Sequence, residues 1–331
     1  TLIGGGIPLV RALSLLSEHA ENKALGAVLS AVTKEVSAGG AFHKALEKHP
    51  KVFDDIWVSL VQAGEVSGQL PAVLRQITAY SESQENVKSK IVTAVSYPAV
   101  LFTMSMGVLV YFIFYIVPVF ADIFKDFGLT LPIITRMVLL VSHILTKYFV
   151  IMLVAGIGGV FAFRAYIATP PGRLTWNHIQ FNLPLFGALM KAMAIERMLT
   201  TMATLIRSGV SILNAVSVLE GAFKKNLIFQ GALKQAKNDI ASGRSISESF
   251  KKTGIFPPMV TEMMWMGEES GKLPDIIVVL SKYYQEQIDQ FLRRFSAMID
   301  PILVVGIGGL IAVIVMSIFM PIFQLSQIGA G

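Results

Sequence analysis

Residues that could do chemistry are few in this chain, and none stands at a catalytic spacing. "GEESGKL" (267–273) has the glycines and lysine of a phosphate-binding loop. It has three residues between its glycines instead of four, and Leu273 stands where a Ser or Thr hydroxyl would meet magnesium. The five histidines, at 19, 43, 49, 143 and 178, form no HExxH or related ligand spacing. Asp54-Asp55 and Glu268-Glu269 are adjacent pairs, so on a helix their carboxylates diverge and read as solvated surface. With no cysteine there is neither a thiolate metal site nor a disulfide framework. Nothing in these groups asks for a catalytic role, a metal or a cofactor.

One phrase, however, occurs twice. "AGEVSGQLPAVL" (63–74) and "MGEESGKLPDII" (266–277) match at Gly64, Glu65, Ser67, Gly68, Leu70 and Pro71 against Gly267, Glu268, Ser270, Gly271, Leu273 and Pro274. The offset of 203 also pairs Thr1-Leu2-Ile3 with Thr204-Leu205-Ile206, Phe53 with Phe256, Tyr80 with Tyr283, and Gln84 with Gln287. It goes on to pair Pro98 with Pro301 and Pro118 with Pro321. The chain is therefore an internal duplication. The pattern of each copy is helical: Leu9, Ala12, Leu13 and Leu16 follow i, i+3, i+4, i+7, as do Leu70, Val73, Leu74 and Ile77. Alternating β-branched runs with hairpin turns are missing. Each copy reads as a small helical bundle, the first expected to lack the beginning of its opening helix.

Local chemistry gives the phrase a role as a helix–turn–helix corner. Gly64 and Gly267 suit the left-handed residue that closes a helix. Ser67 and Ser270 can cap the helix that follows, and Pro71 and Pro274 then fall in its first turn, where no N–H is required. Glu65 and Glu268 keep two readings: a carboxylate stabilising a helix N-terminus, or a contact for a partner.

Only 15% of the side chains are charged and 53% are hydrophobic, against about 25% charged in a soluble domain. The deficit lies in three apolar stretches, each long enough to span a bilayer. This is a membrane protein, expected to be all-α with two repeated cytoplasmic helical-bundle domains and three transmembrane helices. The expected divisions are residues 1–96 as the first repeat, 97–121 as span one and 122–147 as an extracytoplasmic loop with a helix start. Residues 148–168 form span two, 169–299 the second repeat, 300–324 span three and 325–331 an extracytoplasmic tail. Pro98, Pro118, Pro301 and Pro321 mark the span ends. Lys147 and Arg164 can extend from span two toward headgroups. Residues 1–96 hold nine basic and nine acidic side chains, while 168–299 hold fifteen and ten. Lys88, Lys90, Arg173, Arg293 and Arg294 beside the spans place both repeats in the cytoplasm. No basic stripe with interleaved aromatics points to nucleic acid. Ala155 with Gly159 and Gly308 with Ala312 are small-xxx-small pairs suited to close helix packing, including self-association. Three spans with few polar groups weigh against a transporter or channel, which repeats can also indicate.

These motifs together resemble the secretion protein F family, the inner-membrane platform of type II secretion and type IV pilus assembly. The resemblance rests on "GEVSGQLP", "GEESGKLP", "SYPAVL", "VPVFADIFKDFGLTLPIIT" (117–135) and "DPILVVGIGGLIAVIVMSIFMPIF" (300–323), and covers essentially the whole chain, with the pilus branch favoured. It implies a non-enzymatic, oligomeric inner-membrane protein without cofactors. Its implied partners are a cytoplasmic hexameric assembly ATPase, pilin subunits, other inner-membrane assembly proteins and the lipid bilayer, with no nucleic acid. The family's platform is thought to couple that ATPase to pilin movement into or out of a filament.

Overall fold

The computed structural model describes residues 2–120 and 133–328; residues 122–132 of the expected outer loop and 329–331 of the tail lie outside them. The described residues are helical, with no strand. A short 3-10 turn, Ile3–Gly5, precedes α1 (Leu9–Glu18), α2 (Lys23–Ser37), α3 (Phe42–Glu47), α4 (Asp55–Ser67) and α5 (Leu70–Tyr111). Next come α6 (Ile133–Ala168), α7 (Pro170–Asn182), α8 (Phe186–Arg207), α9 (Ile212–Ala222), α10 (Leu227–Ala241), α11 (Ile246–Lys252), α12 (Pro258–Glu269) and α13 (Leu273–Ile328). α1–α4 and the start of α5 correspond to α9–α12 and the start of α13, so the duplication is visible in element order. Starts are capped where the sequence supplies the side chain. Asn22, Asp54, Ser211, Asn226 and Ser245 each accept from an N–H of the first turn.

The chain divides into two compact units, residues 1–88 with 169–289, and residues 89–168 with 290–331. In the first unit both repeats pack together. The core of repeat two is built on Met198, Leu199, Met202, Phe229, Phe250, Met264 and Ile277. That of repeat one is built on Val32, Leu46, Ile56, Leu60, Val73 and Ile77, and it takes in Leu205 and Ala215 from repeat two. Across the junction the Thr201 hydroxyl lies 3.3 Å from the Tyr80 hydroxyl, Ser208 meets Gln76, and Lys224 pairs with Asp55 at 3.2 Å on the surface. Glu196 of α8 is only 2% exposed. Burial raises its pKa, opposed by a hydrogen bond from the Thr200 hydroxyl at 2.8 Å and by the neighbouring Arg197.

Among the described residues three helices are long and apolar enough to cross a membrane, Leu70–Phe120, Arg136–Ala168 and Leu273–Ser317. Neither α5 nor α13 breaks where a span begins. α5 passes through Pro98, and α13 runs 56 residues through Pro301 and Pro321. The break in the first span comes later, at a π-helical turn, Phe112–Ile116. Pro118 stands two residues beyond it. The Val117 N–H reaches back to the Phe112 carbonyl, and the Ile113 carbonyl would next take the amide at position 118, which a proline lacks. Ser142 of α6, 3% exposed, supplies the missing donor, its hydroxyl giving to the Ile113 carbonyl at 2.7 Å. Leu109 and Ile314 pack alongside, joining the first and third spans.

Candidate functional site

In each repeat the shared phrase forms the corner between two helices, α4 to α5 and α12 to α13. Chain reversal is made by Gly68 (φ 69°) and Gly271 (φ 67°), the left-handed residues just past the helix ends. Gln69 N–H donates to the Gly64 carbonyl at 2.9 Å and Lys272 N–H to the Gly267 carbonyl at 2.8 Å, closing each helix with a six-to-one bond. The sequence reading had assigned that closing conformation to Gly64 and Gly267. They instead lie inside the helices, where the next helix passes close. A Cβ on Gly64 would stand 3.0 Å from the Val73 Cβ and 3.3 Å from the Leu70 Cα, and one on Gly267 would stand 3.0 Å from the Leu273 Cα. The serines also differ from expectation. Ser67 and Ser270 donate back to Ala63 and Met266 carbonyls at 2.7 Å, completing their own helices and leaving the following helix uncapped by them. Leu70-Pro71 and Leu273-Pro274 open α5 and α13, so each proline is the second residue of its helix, where no carbonyl awaits its N–H.

The two glutamates reach to a third helix. Glu65 accepts from the Phe42 N–H at 2.7 Å and the His43 N–H at 2.9 Å, and His43 Nδ1 lies 2.5 Å from its Oε2. Glu268 accepts from the Ile246 N–H at 2.7 Å, the Ser247 N–H at 3.0 Å and the Ser247 hydroxyl at 2.7 Å. Both carboxylates thus satisfy the orphan donors that open α3 and α11, twenty-odd residues earlier in the chain. Partial burial works to raise the Glu65 pKa, but the bonds from the His43 amide, the His43 ring and the Phe42 amide outweigh it and hold the carboxyl below its ordinary value. Each corner is therefore a clasp binding three helices of one repeat. The residues between the clasp and the turn face solvent, with Val66 82% exposed and Glu269, Ser270 and Lys272 also exposed.

Pro98 and Pro301 are interior to α5 and α13, and Pro118 follows the π turn. Two features escaped the sequence reading. Ser142 is significant only through its bond to the Ile113 carbonyl on another helix. On α12, Glu262, Trp265, Met266 and Glu269 form an outward stripe at i, i+3, i+4, i+7, all exposed, and that spacing was available in the sequence.

A duplicated helical module whose last helix in each copy runs on into an apolar span defines a helical membrane protein. The chain belongs to the type II secretion system protein F family, whose model matches residues 1–118 and 198–321, once per repeat. It is 34% identical to the type IV pilus assembly protein PilC of Myxococcus xanthus, over 98% of this chain and 78% of that one. It is 30% identical to the PilC of Pseudomonas aeruginosa over 99% and 88%. It is also 29% identical to the type II secretion system protein F of the same organism, over 99% and 81%.

Proposed function

We propose that this protein is the inner-membrane platform of a type IV pilus machine, passing the motion of a cytoplasmic hexameric assembly ATPase to pilin subunits that enter or leave the filament. The observation that carries this is the pairing of two soluble repeats with membrane spans through α5 and α13, which have no loop at the membrane boundary. In each repeat the last soluble helix and the span are one continuous stretch of helix, with no flexible loop between them to absorb a displacement. The pilus relatives, 34% and 30% identical, favour that branch. The secretion platform is the second reading, supported by the 29% match across 99% of the chain.

In this reading both repeats face the cytoplasm, the basic residues beside the spans supporting that side. The corners at Gly64–Pro71 and Gly267–Pro274 carry the ATPase-facing surface through their exposed residues, while Glu65 and Glu268 hold those surfaces in place. The spans meet pilins and further copies of the chain.

Complementation tests the reading. In a strain lacking its own pilus platform, the chain should restore surface filaments counted by electron microscopy, and in a secretion-platform deletion it should not. The opposite pattern selects the secretion reading, and failure in both overturns the platform function. The absence of native cysteine allows a direct test of sidedness. Cysteines at the exposed Asn86 and Ser242 should resist an impermeant thiol reagent in intact cells and react after lysis; labelling from outside overturns the orientation.

A further inference from the structure

A solvent-facing helix normally buries one stripe and exposes a polar one. α12 departs from this. Its inner stripe, Val260, Met264 and Gly267, is buried in the core of repeat two. Its outer stripe places Trp265, 55% exposed, and Met266, 58% exposed, between the carboxylates of Glu262 and Glu269. Neither carboxylate makes an ion pair with a described residue. Trp265 forms one wall of a concavity of about 380 Å³, with Glu262 beside it and Ser245, Glu248 and Lys251 of the α11 segment opposite. Glu248 is only loosely answered by Arg244, at 3.8 Å.

The same positions in repeat one, offset by 203, are Ser59, Gln62, Ala63 and Val66. None of these four residues is aromatic or acidic. The folding requirements of the module are met in repeat one without these side chains, so they are a property of repeat two alone.

We propose that the α12 face of repeat two is a docking site for a cationic segment of a protein partner, with an arginine seated over the Trp265 ring and paired with Glu262. Three observations select that chemistry. An exposed Trp beside a Met offers the rigid apolar contact on which interface energy concentrates. The indole face attracts a guanidinium, and Trp is the strongest ring for this. Glu262 and Glu248 line the concavity against one lysine, Lys251, and Glu269 adds a third carboxylate farther along the same face of α12, so the complementary surface is positive. An anionic membrane surface would be repelled by the same carboxylates, so a lipid occupant does not fit. The docking site deepens the platform reading by naming the chemistry of its soluble partner.

The test uses the full chain in nanodiscs of neutral phosphatidylcholine. The probe is a short amphipathic peptide of alanine, leucine and arginine, compared with the same peptide carrying neutral citrulline for arginine. The arginine peptide should bind about tenfold more tightly than the citrulline peptide, a difference of about 1.4 kcal/mol. Trp265→Ala and Glu262→Gln should each remove most of that preference, while Trp265→Phe should keep part of it and Gln62→Ala in repeat one should leave it unchanged. Circular dichroism of each variant checks that the module stays folded. Equal binding of both peptides, or a preference that survives Trp265→Ala, overturns the proposal. So does Trp265-dependent binding of anionic vesicles without peptide, or a Trp265-dependent dimer of the chain. If the peptide preference holds but Trp265→Ala cells assemble normal filaments, the docking face stands and its place in filament assembly falls.

Discussion

Ser142 and Pro118 lie on different membrane helices, and the structure makes the need for one a consequence of the other. With Val117 N–H taken by Phe112 and no amide hydrogen at position 118, the Ile113 carbonyl depends on the Ser142 hydroxyl at 2.7 Å. Removing that hydroxyl leaves a carbonyl unpaired in an apolar setting, a loss of about 1–3 kcal/mol in buried protein sites. Interhelical hydrogen bonds in membranes average nearer to about 0.6 kcal/mol, so Ser142→Ala should destabilise the membrane unit by about 1 kcal/mol. Pro118→Ala restores an amide at the position the carbonyl seeks. In that background Ser142→Ala should lose only a few tenths of a kcal/mol, giving a coupling of about 0.5 kcal/mol or more. A single cysteine replacing the buried Leu109 reports the opening, because its protection from thiol reagents disappears when the helices part. The four variants are compared for reaction rate in mixed micelles of rising detergent strength. If Ser142→Ala has the same effect with and without Pro118, the π turn has another cause and the reasoning is refuted.

Glu65→Gln and Glu268→Gln should each destabilise the soluble module by about 1–3 kcal/mol, the range for charge-assisted bonds to helix-opening amides; equal thermal stability of variant and parent would reject the clasp. The Glu65 contribution has a definite pH sign. Its folded pKa lies below the unfolded value of 4.5, so the stabilisation is fully present above that value and fades as pH falls through the folded pKa. The loss of stability on acidification should therefore be shallower in Glu65→Gln than in the wild type, as read by thermal melting across pH. Glu196 has the opposite sign. Its raised pKa means the charged form destabilises, so Glu196→Gln should increase stability at neutral pH and lessen the decline from acid to neutral pH. Gly68→Ala should lose about 1–2 kcal/mol through its left-handed backbone alone, with Gly68→Asn losing less, whereas at Gly64 every side chain should lose about 1–3 kcal/mol by crowding α5. Urea titration of the variants separates the two glycines.

The duplication, the helical class and the apolar spans were legible because they rest on periodicity and on repetition at one offset, both properties of order along the chain. The corner was legible as a corner, yet its parts were exchanged. A serine followed by glycine serves equally as the end of one helix or the cap of the next, and only the geometry shows Ser67 bonding to Ala63. Two glycines four residues apart offer two sites for a left-handed turn, and the closeness of Val73 that decides against Gly64 is a packing fact. The partner of Glu65 lies at Phe42 and His43, a distance in sequence that no local rule covers. Pro118 was read only as the end of the first span, and no local rule links it to a serine beyond residues 121–132. The outer stripe of α12 was readable by spacing and was hidden by the buried stripe of the same helix.

The interlocking of the two repeats has a bearing on how the chain can be handled and how it can change. Since Leu205 and Ala215 complete the first copy's interior, the first copy is not a finished object by itself, and a truncated piece ending before Thr169 would present greasy surface to solvent. Heating should melt both copies in one cooperative step, and substitutions in one half should be tolerated according to what stands in the other. What began as two equal copies has become a single body whose halves are no longer free to drift apart.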